Sequence, residues 1–226
     1  MVPSERTGRL VGVDTGGTFT DLVVEAPGGR GARTVVKLPS TPDDPGRAVG
    51  DGLAEVCRRD GGAPLGASDH VVHGTTVGLN ALLTRRLAPT ALVTNAGFRD
   101  LVEIGRQERP DIYALHPERP APVVPRELRF EVGQRSWPDP DTGVVGEVER
   151  PSDGELAALA ERVAASGATS VAVCLLHSWA DPEPERRVAR ALASTGLPVT
   201  TSADLCPEYR EVERFSTATI NAALAP

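Results

Sequence analysis

The chain has 226 residues, enough for one large domain or two small ones with well-buried cores. It is 40% hydrophobic and 24% charged, the balance of a soluble globular protein, and its formal charge of −7 argues against the broad basic face of a nucleic-acid binder. No apolar run approaches the roughly 18 residues of a membrane span, and the opening MVPSERTGRL lacks an apolar signal core. Cys57, Cys174 and Cys206 lie far apart without a Cys-x-x-Cys spacing, which fits a reduced, cytoplasmic setting. Lys37 is the only lysine. The arginine excess reads first as coding bias and second as bidentate anion binding.

Leu10–Asp14 and Asp21–Ala26 read as strands around a Gly/Thr turn, and ARTVVKLP as a third, so the chain opens with an antiparallel meander. A helix follows, with Asp44 as N-cap, Pro45 at its first position and Gly61–Gly62 as its stop. Its apolar Val49, Leu53 and Val56 share one face. SDHVVHGTT is a short strand ending in a polar turn, VGLNALLTRR a short helix, PTALVTNAG a strand and FRDLVEIGRQ a helical turn. Residues 110–125, with Pro110, Pro117, Pro120, Pro122 and Pro125, form an extended connector. RELRFEVGQRS and GVVGEVER read as a strand pair around PDPDTG. Helix and strand then alternate. SDGELAALAERVAASG is a helix with a Ser152/Glu155 capping box and Gly167 as stop, and ATSVAVCLLHS is a continuous buried strand. DPEPERRVARALASTG is a helix, LPVTTS a strand, and 207–226 a final helix of about five turns. The class is α/β.

The turn DTGGTFTD carries the chemistry. Gly16 and Gly17 let backbone approach a ligand, and successive main-chain N–H groups there form a donor array for an anion. Thr15, Thr18 and Thr20 add hydroxyl donors, and Asp14 is placed to hold a hydrated Mg²⁺ beside a phosphate. No Gly-Lys-Ser/Thr follows and the turn leads into a strand, so this is neither a Walker A loop nor a Rossmann fingerprint. A bare Gly-Gly hairpin accounts for the glycines but not for the hydroxyls or for Asp14 and Asp21.

GVDTGGTFTD resembles the first phosphate-binding segment of the actin, sugar kinase and Hsp70 superfamily. HGTTVGLNALLTRR, TALVTNAGFRDLVEIGRQERPDIYAL, LLHSWADPEPERRVARAL and YREVERFSTATINAALAP narrow the resemblance. In that order, they are similar to the N-terminal region of the hydantoinase A and 5-oxoprolinase family, which includes ATP-dependent ketone carboxylase subunits. The resemblance covers nearly the whole of 1–226. It implies half of a ribonuclease H-like or actin-like fold: a mixed sheet, antiparallel meander then parallel strands, flanked by helices, with an inserted α/β subdomain. Residues 8–60 would form the phosphate-loop meander and helix, 68–205 the α/β portion, and 207–226 a helix leading to a second half. The implied activity is ATP-dependent hydrolysis of cyclic amides or imides through phosphoryl activation of a carbonyl, by an enzyme that is oligomeric when whole. The alternatives are a ketone carboxylase subunit and a non-catalytic nucleotide-binding or assembly module. ATP and Mg²⁺ are the implied cofactors, with Asp14 as metal ligand and Asp21 either polarising water or orienting the turn. A second Asp-x-Gly-Gly-Thr is absent from the sequence, so the other phosphate loop is expected from a second half or a partner subunit. The isolated chain is then expected to turn over little ATP.

Weaker candidates follow. His73, Thr75 and Thr76 in HGTT end a strand, where they suit either substrate or phosphate binding or a plain helix cap, and Asn80 lies one helical turn beyond Thr76. Arg106 is either part of an exposed salt-bridged loop or a fork for a carboxylate or phosphate. His177 reads as structural more readily than as a base. Glu208, Glu211 and Arg214 read as a surface charge stripe, although the resemblance puts this segment beside the site.

Overall fold

A computed structural model describes residues 7–29, 33–41 and 43–226. Most of the MVPSERTGRL segment and the first residue of the expected third strand lie outside them. The chain divides into two compact units, Met1–Arg85 and Arg86–Pro226.

The first unit is one mixed sheet with a helix on one face. β1 (Leu10–Thr15), β2 (Phe19–Glu25) and β3 (Thr34–Pro39) form the antiparallel meander, and α1 (Pro45–Arg59) leads to β4 (His70–Thr75) and α2 (Val77–Leu83). The order is β3-β2-β1-β4, with β4 parallel to β1. Period-two alternation sends Val11, Val13, Leu22, Val24 and Val36 to one face. There they pack with Val56, Val49 and Leu53 of α1. α1 starts where the sequence places it, with the Asp44 carboxylate accepting from the Gly46 amide at 3.1 Å. Gly52 is a packing requirement: a Cβ there would lie 2.3 Å from Leu22 Cδ1. At the sheet's other end buried Arg9 donates to Asp69 at 2.7 Å and to Asp60 at 3.1 Å, tying β1 to the turn before β4. The Arg9 guanidinium, with the amides of Gly66 and Arg9, holds the Asp69 carboxyl well below the usual carboxylate range.

The second unit is a three-layer α/β sandwich. Its elements are β5 (Thr90–Asn95), α3 (Leu101–Ile104), β6 (Arg129–Val132), β7 (Arg135–Pro138), β8 (Val145–Glu149), α4 (Asp153–Ala164), β9 (Ser170–Val173), α5 (Glu183–Leu192), β10 (Val199–Thr201), α6 (Ser202–Leu205) and α7 (Glu211–Leu224). The sheet β10-β9-β5-β6 is all parallel, and β5 is buried throughout, as a central parallel strand requires. α4 and α5 cover one face; α7 and the start of α3 cover the other. The capping box is present, with Ser152 Oγ accepting from the Glu155 amide at 3.3 Å and Glu155 Oε2 accepting from the Ser152 amide at 2.8 Å.

Four expectations change. β4 extends the meander in parallel, as the mixed sheet requires, but the later parallel strands β5, β6, β9 and β10 build a sheet of their own. β4 and α2, expected with the later α/β portion, belong to the first unit because β4 pairs with β1. RELRFEV does not join the hairpin: β6 adds to the parallel sheet beside β5, and only β7 pairs with β8, through a bulge at Arg135/Ser136. The last helix begins at Glu211, after an irregular stretch from Cys206, and spans 14 residues rather than five turns. The 110–125 connector carries no helix or strand, as its prolines dictate.

Candidate functional site

The site is built on the β1–β2 turn. Asp14 and Asp21 are directly opposed in the antiparallel register, as are Thr15 and Thr20 one step on. Alternation therefore separates two functions. The aspartates fall on the open face of the sheet, while Thr15 and Thr20 point into the buried one, 1% and 0% exposed.

Both buried threonines are committed within the protein. Thr15 Oγ1 lies 2.9 Å from His73 Nε2 across the parallel β1–β4 pair. Thr20 Oγ1 lies 3.0 Å from Ser40 Oγ, which donates to the Gly16 carbonyl at 2.7 Å. Since the single Ser40 hydroxyl hydrogen goes to Gly16, Thr20 supplies the hydrogen between them. The Ser40 amide also donates to the Thr18 carbonyl at 2.9 Å. Thr15 and Thr20, expected as donors to an anion, are thus braces; the buried side of a hairpin cannot face a ligand in the turn. Ser40 is not among the expected site residues, although a hydroxyl directly after β3 is a legible signal.

What stays free is compact. The Gly16 amide closes the turn on the Phe19 carbonyl at 2.9 Å. Among the described residues the amides of Gly17 and Thr18, the Thr18 hydroxyl and the exposed Asp14 carboxylate have no hydrogen-bond or ion-pair partner. Asp21 differs from Asp14. Both its oxygens accept from Lys37 Nζ, at 2.9 and 3.0 Å, from the facing position on β3, and Lys37 also sits 4.6 Å over the Phe19 ring. Two like charges opposed on neighbouring strands repel. The Lys37 pair removes one of them and leaves Asp14 as the open carboxylate.

α2 forms the second wall. The Thr76 amide and the Thr75 hydroxyl both donate to the Thr15 carbonyl, at 3.0 and 3.3 Å, and Thr75 Oγ1 accepts from the Val77 amide at 3.2 Å. Thr75 is thus a helix-start cap and a brace at once. Asn80 Nδ2 donates to Thr76 Oγ1 at 3.3 Å, so these two share a face as their spacing implies. They stand against the glycines: a Cβ on Gly17 would lie 2.8 Å from Asn80 Nδ2, and one on Gly16 3.0 Å from the Phe19 carbonyl.

Arg106 belongs to the second unit. There Nε and Nη2 fork the two Glu213 oxygens at 2.9 and 2.6 Å, so its carboxylate is on its own chain. Of the expected Glu208, Glu211 and Arg214 stripe, Glu208 is exposed and Glu211 half-buried, but Arg214 leaves the surface. Arg214 is fully buried and donates to the Leu175 carbonyl at 2.7 Å, the Glu208 carbonyl at 2.6 Å and Ser202 Oγ at 3.0 Å. Ser202 in turn donates at 2.6 Å to Glu185, which is also fully buried and accepts from the Leu175 and Ala203 amides at 2.7 and 2.8 Å. Burial pushes the Glu185 carboxyl up, against the pull of these hydrogen bonds. His177 has a left-handed backbone (φ 61°), packs edge-on against Trp137 at 5.7 Å and donates its amide to Glu211 at 3.3 Å, a structural set of contacts.

The free donors and the open carboxylate fit a metal–phosphate group. The turn offers two neighbouring amides and a hydroxyl around glycines that leave no room for side chains. Among the described residues no group of three His, Cys, Asp or Glu side chains could hold a metal. A cation beside Asp14 would therefore need most of its oxygens from a ligand and water, as Mg²⁺ takes them from a nucleotide.

Residues 10–196 match the hydantoinase/oxoprolinase N-terminal region. The chain is 34% identical to 5-oxoprolinase 1 of Arabidopsis thaliana, over 95% of this chain and 19% of that protein. It is 31% identical to the caprolactamase subunit alpha of Pseudomonas jessenii, over 96% of this chain and 31% of the subunit. In structure it is similar to nucleotide-free acetone carboxylase, with a TM-score of 0.83 and 26% identity, over 96% of this chain and 32% of that one. It thus spans about a third or less of the length of these relatives. The chain belongs to the hydantoinase/oxoprolinase family and carries its N-terminal region.

Proposed function

We propose that this chain is one jaw of the nucleotide clamp of an ATP-dependent enzyme that opens cyclic amides or imides, of the hydantoinase or 5-oxoprolinase type. One observation carries the reading. At the end of β1, an unpaired Asp14 carboxylate stands beside the free amides of Gly17 and Thr18, in a turn braced on both sides. ATP·Mg²⁺ would supply a phosphoryl group to the carbonyl oxygen, which activates that carbon for attack by water with cleavage of the ring C–N bond. The chain's own part is electrostatic and positional. Asp14 would bind the cation; the Gly17 and Thr18 amides and the Thr18 hydroxyl would receive phosphate oxygens. Ser40, Thr20, Thr15 and His73 would hold the turn in shape, and Lys37 would keep Asp21 from competing for the cation. Asp21, whose two oxygens both accept from Lys37, would orient the turn rather than polarise water.

In this reading the chain is half of a ribonuclease H-like or actin-like fold with an inserted α/β subdomain, in an oligomeric cytoplasmic enzyme. The other phosphate loop and the substrate's reacting end come from further chain or a partner subunit. Relatives support ATP use and the amide class: one solved relative is an ATP-dependent caprolactamase, at a TM-score of 0.79 and 29% identity. A ketone carboxylase subunit is the second reading, favoured by the likeness to acetone carboxylase.

Titration calorimetry with Mg·ATP tests the jaw. The 226-residue chain should bind weakly, hydrolyse little ATP and lose the Mg²⁺-dependent part of binding in Asp14→Asn. Robust turnover by this chain alone, or binding indifferent to Asp14→Asn, would overturn the half-clamp.

A further inference from the structure

Beyond the β1–β2 turn, the second unit contains a cleft of about 990 Å³ between the end of α3 and the Pro-rich connector. That volume is in the range of small-molecule sites. Arg106, Arg109 and Arg119 all line it, in a chain whose net charge is −7.

The three guanidiniums are not equivalent. Arg106 is neutralised by its fork on Glu213. Arg109 donates only to the Ala114 carbonyl, and Arg119 only to the Ile104 carbonyl at 3.5 Å, so neither has a carboxylate partner among the described residues. Of the two lining acids, Glu103 is taken by buried Arg129 at 2.8 Å, which leaves Glu108. Two uncompensated guanidiniums against one carboxylate leave one net positive charge. Between Arg106 and Arg109 the backbone is held in the left-handed region at Gln107 (φ 60°), a conformation disfavoured for a residue with a side chain. Conformations of this kind persist where surrounding structure imposes them and concentrate at ligand clamps. Apart from Gln107, the rest of the lining is apolar, with Val102, Ile104 and the connector prolines.

The geometry points to this cleft as a binding site for a small aliphatic monocarboxylate, held by Arg109 and Arg119 with its carbon chain against the Val102–Ile104 wall. Guanidinium presents paired N–H groups that match the two oxygens of a carboxylate. A residual charge of one suits a monoanion better than a phosphate dianion, and the apolar wall suits an alkyl group. The assignment needs no nucleotide and stands apart from the proposed activity.

Butyrate, its neutral analogue butyramide and inorganic phosphate are the probes, titrated into the protein by calorimetry. Butyrate should bind saturably and butyramide should not. Arg109→Gln and Arg119→Gln should each weaken butyrate about tenfold, the loss of a charge-assisted hydrogen bond. Arg47→Gln, which removes an exposed arginine of the first unit, should change nothing. Circular dichroism checks that each variant is folded. Equal binding of butyrate and butyramide, no saturable butyrate binding, or full affinity in both folded Arg variants would overturn the site. Phosphate binding tighter than butyrate would overturn the monocarboxylate assignment.

Discussion

The end of β1 and the end of β9 use the same materials in opposite ways. At each, an acid, a hydroxyl and main-chain amides meet where a strand runs out. After β9 every group is taken: Glu185 receives two amides and the Ser202 hydroxyl, and Arg214 fills two carbonyls and Ser202. After β1 Asp14, the Thr18 hydroxyl and two amides are free among the described residues, and the filled bonds there fix the turn's shape. The difference teaches where a ligand belongs. Buried polar groups must be satisfied internally, whereas an exposed, rigid set with open donors is pre-organised for something outside the chain.

The largest expected effect breaks the closed network. Arg214→Ala strands the Leu175 and Glu208 carbonyls and takes the donor from Ser202, which holds Glu185, so it should cost about 3–5 kcal/mol in denaturant unfolding. Glu185→Gln should cost less, because a neutral amide still bonds Ser202. Next comes Gly52→Ala, whose Cβ meets the Leu22 side chain in the first unit's core and should cost about 1–3 kcal/mol through overpacking. Gly17→Ala presses instead on the flexible end of Asn80, so it should weaken Mg·ATP binding while leaving the unfolding midpoint nearly unchanged. Ser40→Ala should sit between these, losing about 1 kcal/mol and loosening the turn; amide exchange at Gly16–Phe19 would report it.

The smallest effect separates the units by pH. Asp69 is held low by Arg9, so its contribution is present above the ordinary aspartate pKa of 3.8 and is lost as pH falls toward its depressed value. Glu185 is pushed up by burial, so its contribution is present below the usual carboxylate range and is lost as pH rises through its raised value. Asp69→Asn should flatten the acid limb of a stability–pH curve, and Glu185→Gln the opposite limb. A curve unchanged by either variant would contradict both assignments.

Much of this is legible in the residues. Alternation through Val11, Val13, Leu22 and Val24 gives the meander, Ser152/Glu155 the capping box, and DTGGTFTD the turn that leaves its donors open. The losses have physical causes. Alternation also assigns Thr15 and Thr20 to the buried face, but a run of hydroxyls around two glycines reads as a single donor set unless the register is applied. RELRFEV is short enough to pair with either neighbour, and only the third dimension offers β5 as its partner. Glu185 and Arg214 look like surface charges, yet each sits on its helix's apolar face, with Val188 and Leu192 at i+3 and i+7 and Ala218 and Ala222 at i+4 and i+8. A charge on an apolar stripe calls for buried partners; the structure supplies them by joining Glu185 and Arg214 through Ser202.

Lys37 gives the turn a built-in reporter. These 226 residues contain one side-chain amine, and it is bound to Asp21 on the open face that also carries Asp14. An acylating reagent therefore marks a single side chain of this sequence. Its rate of reaction measures how firmly that amine is held by its aspartate, a chemical readout of the open face that needs neither turnover nor a crystal.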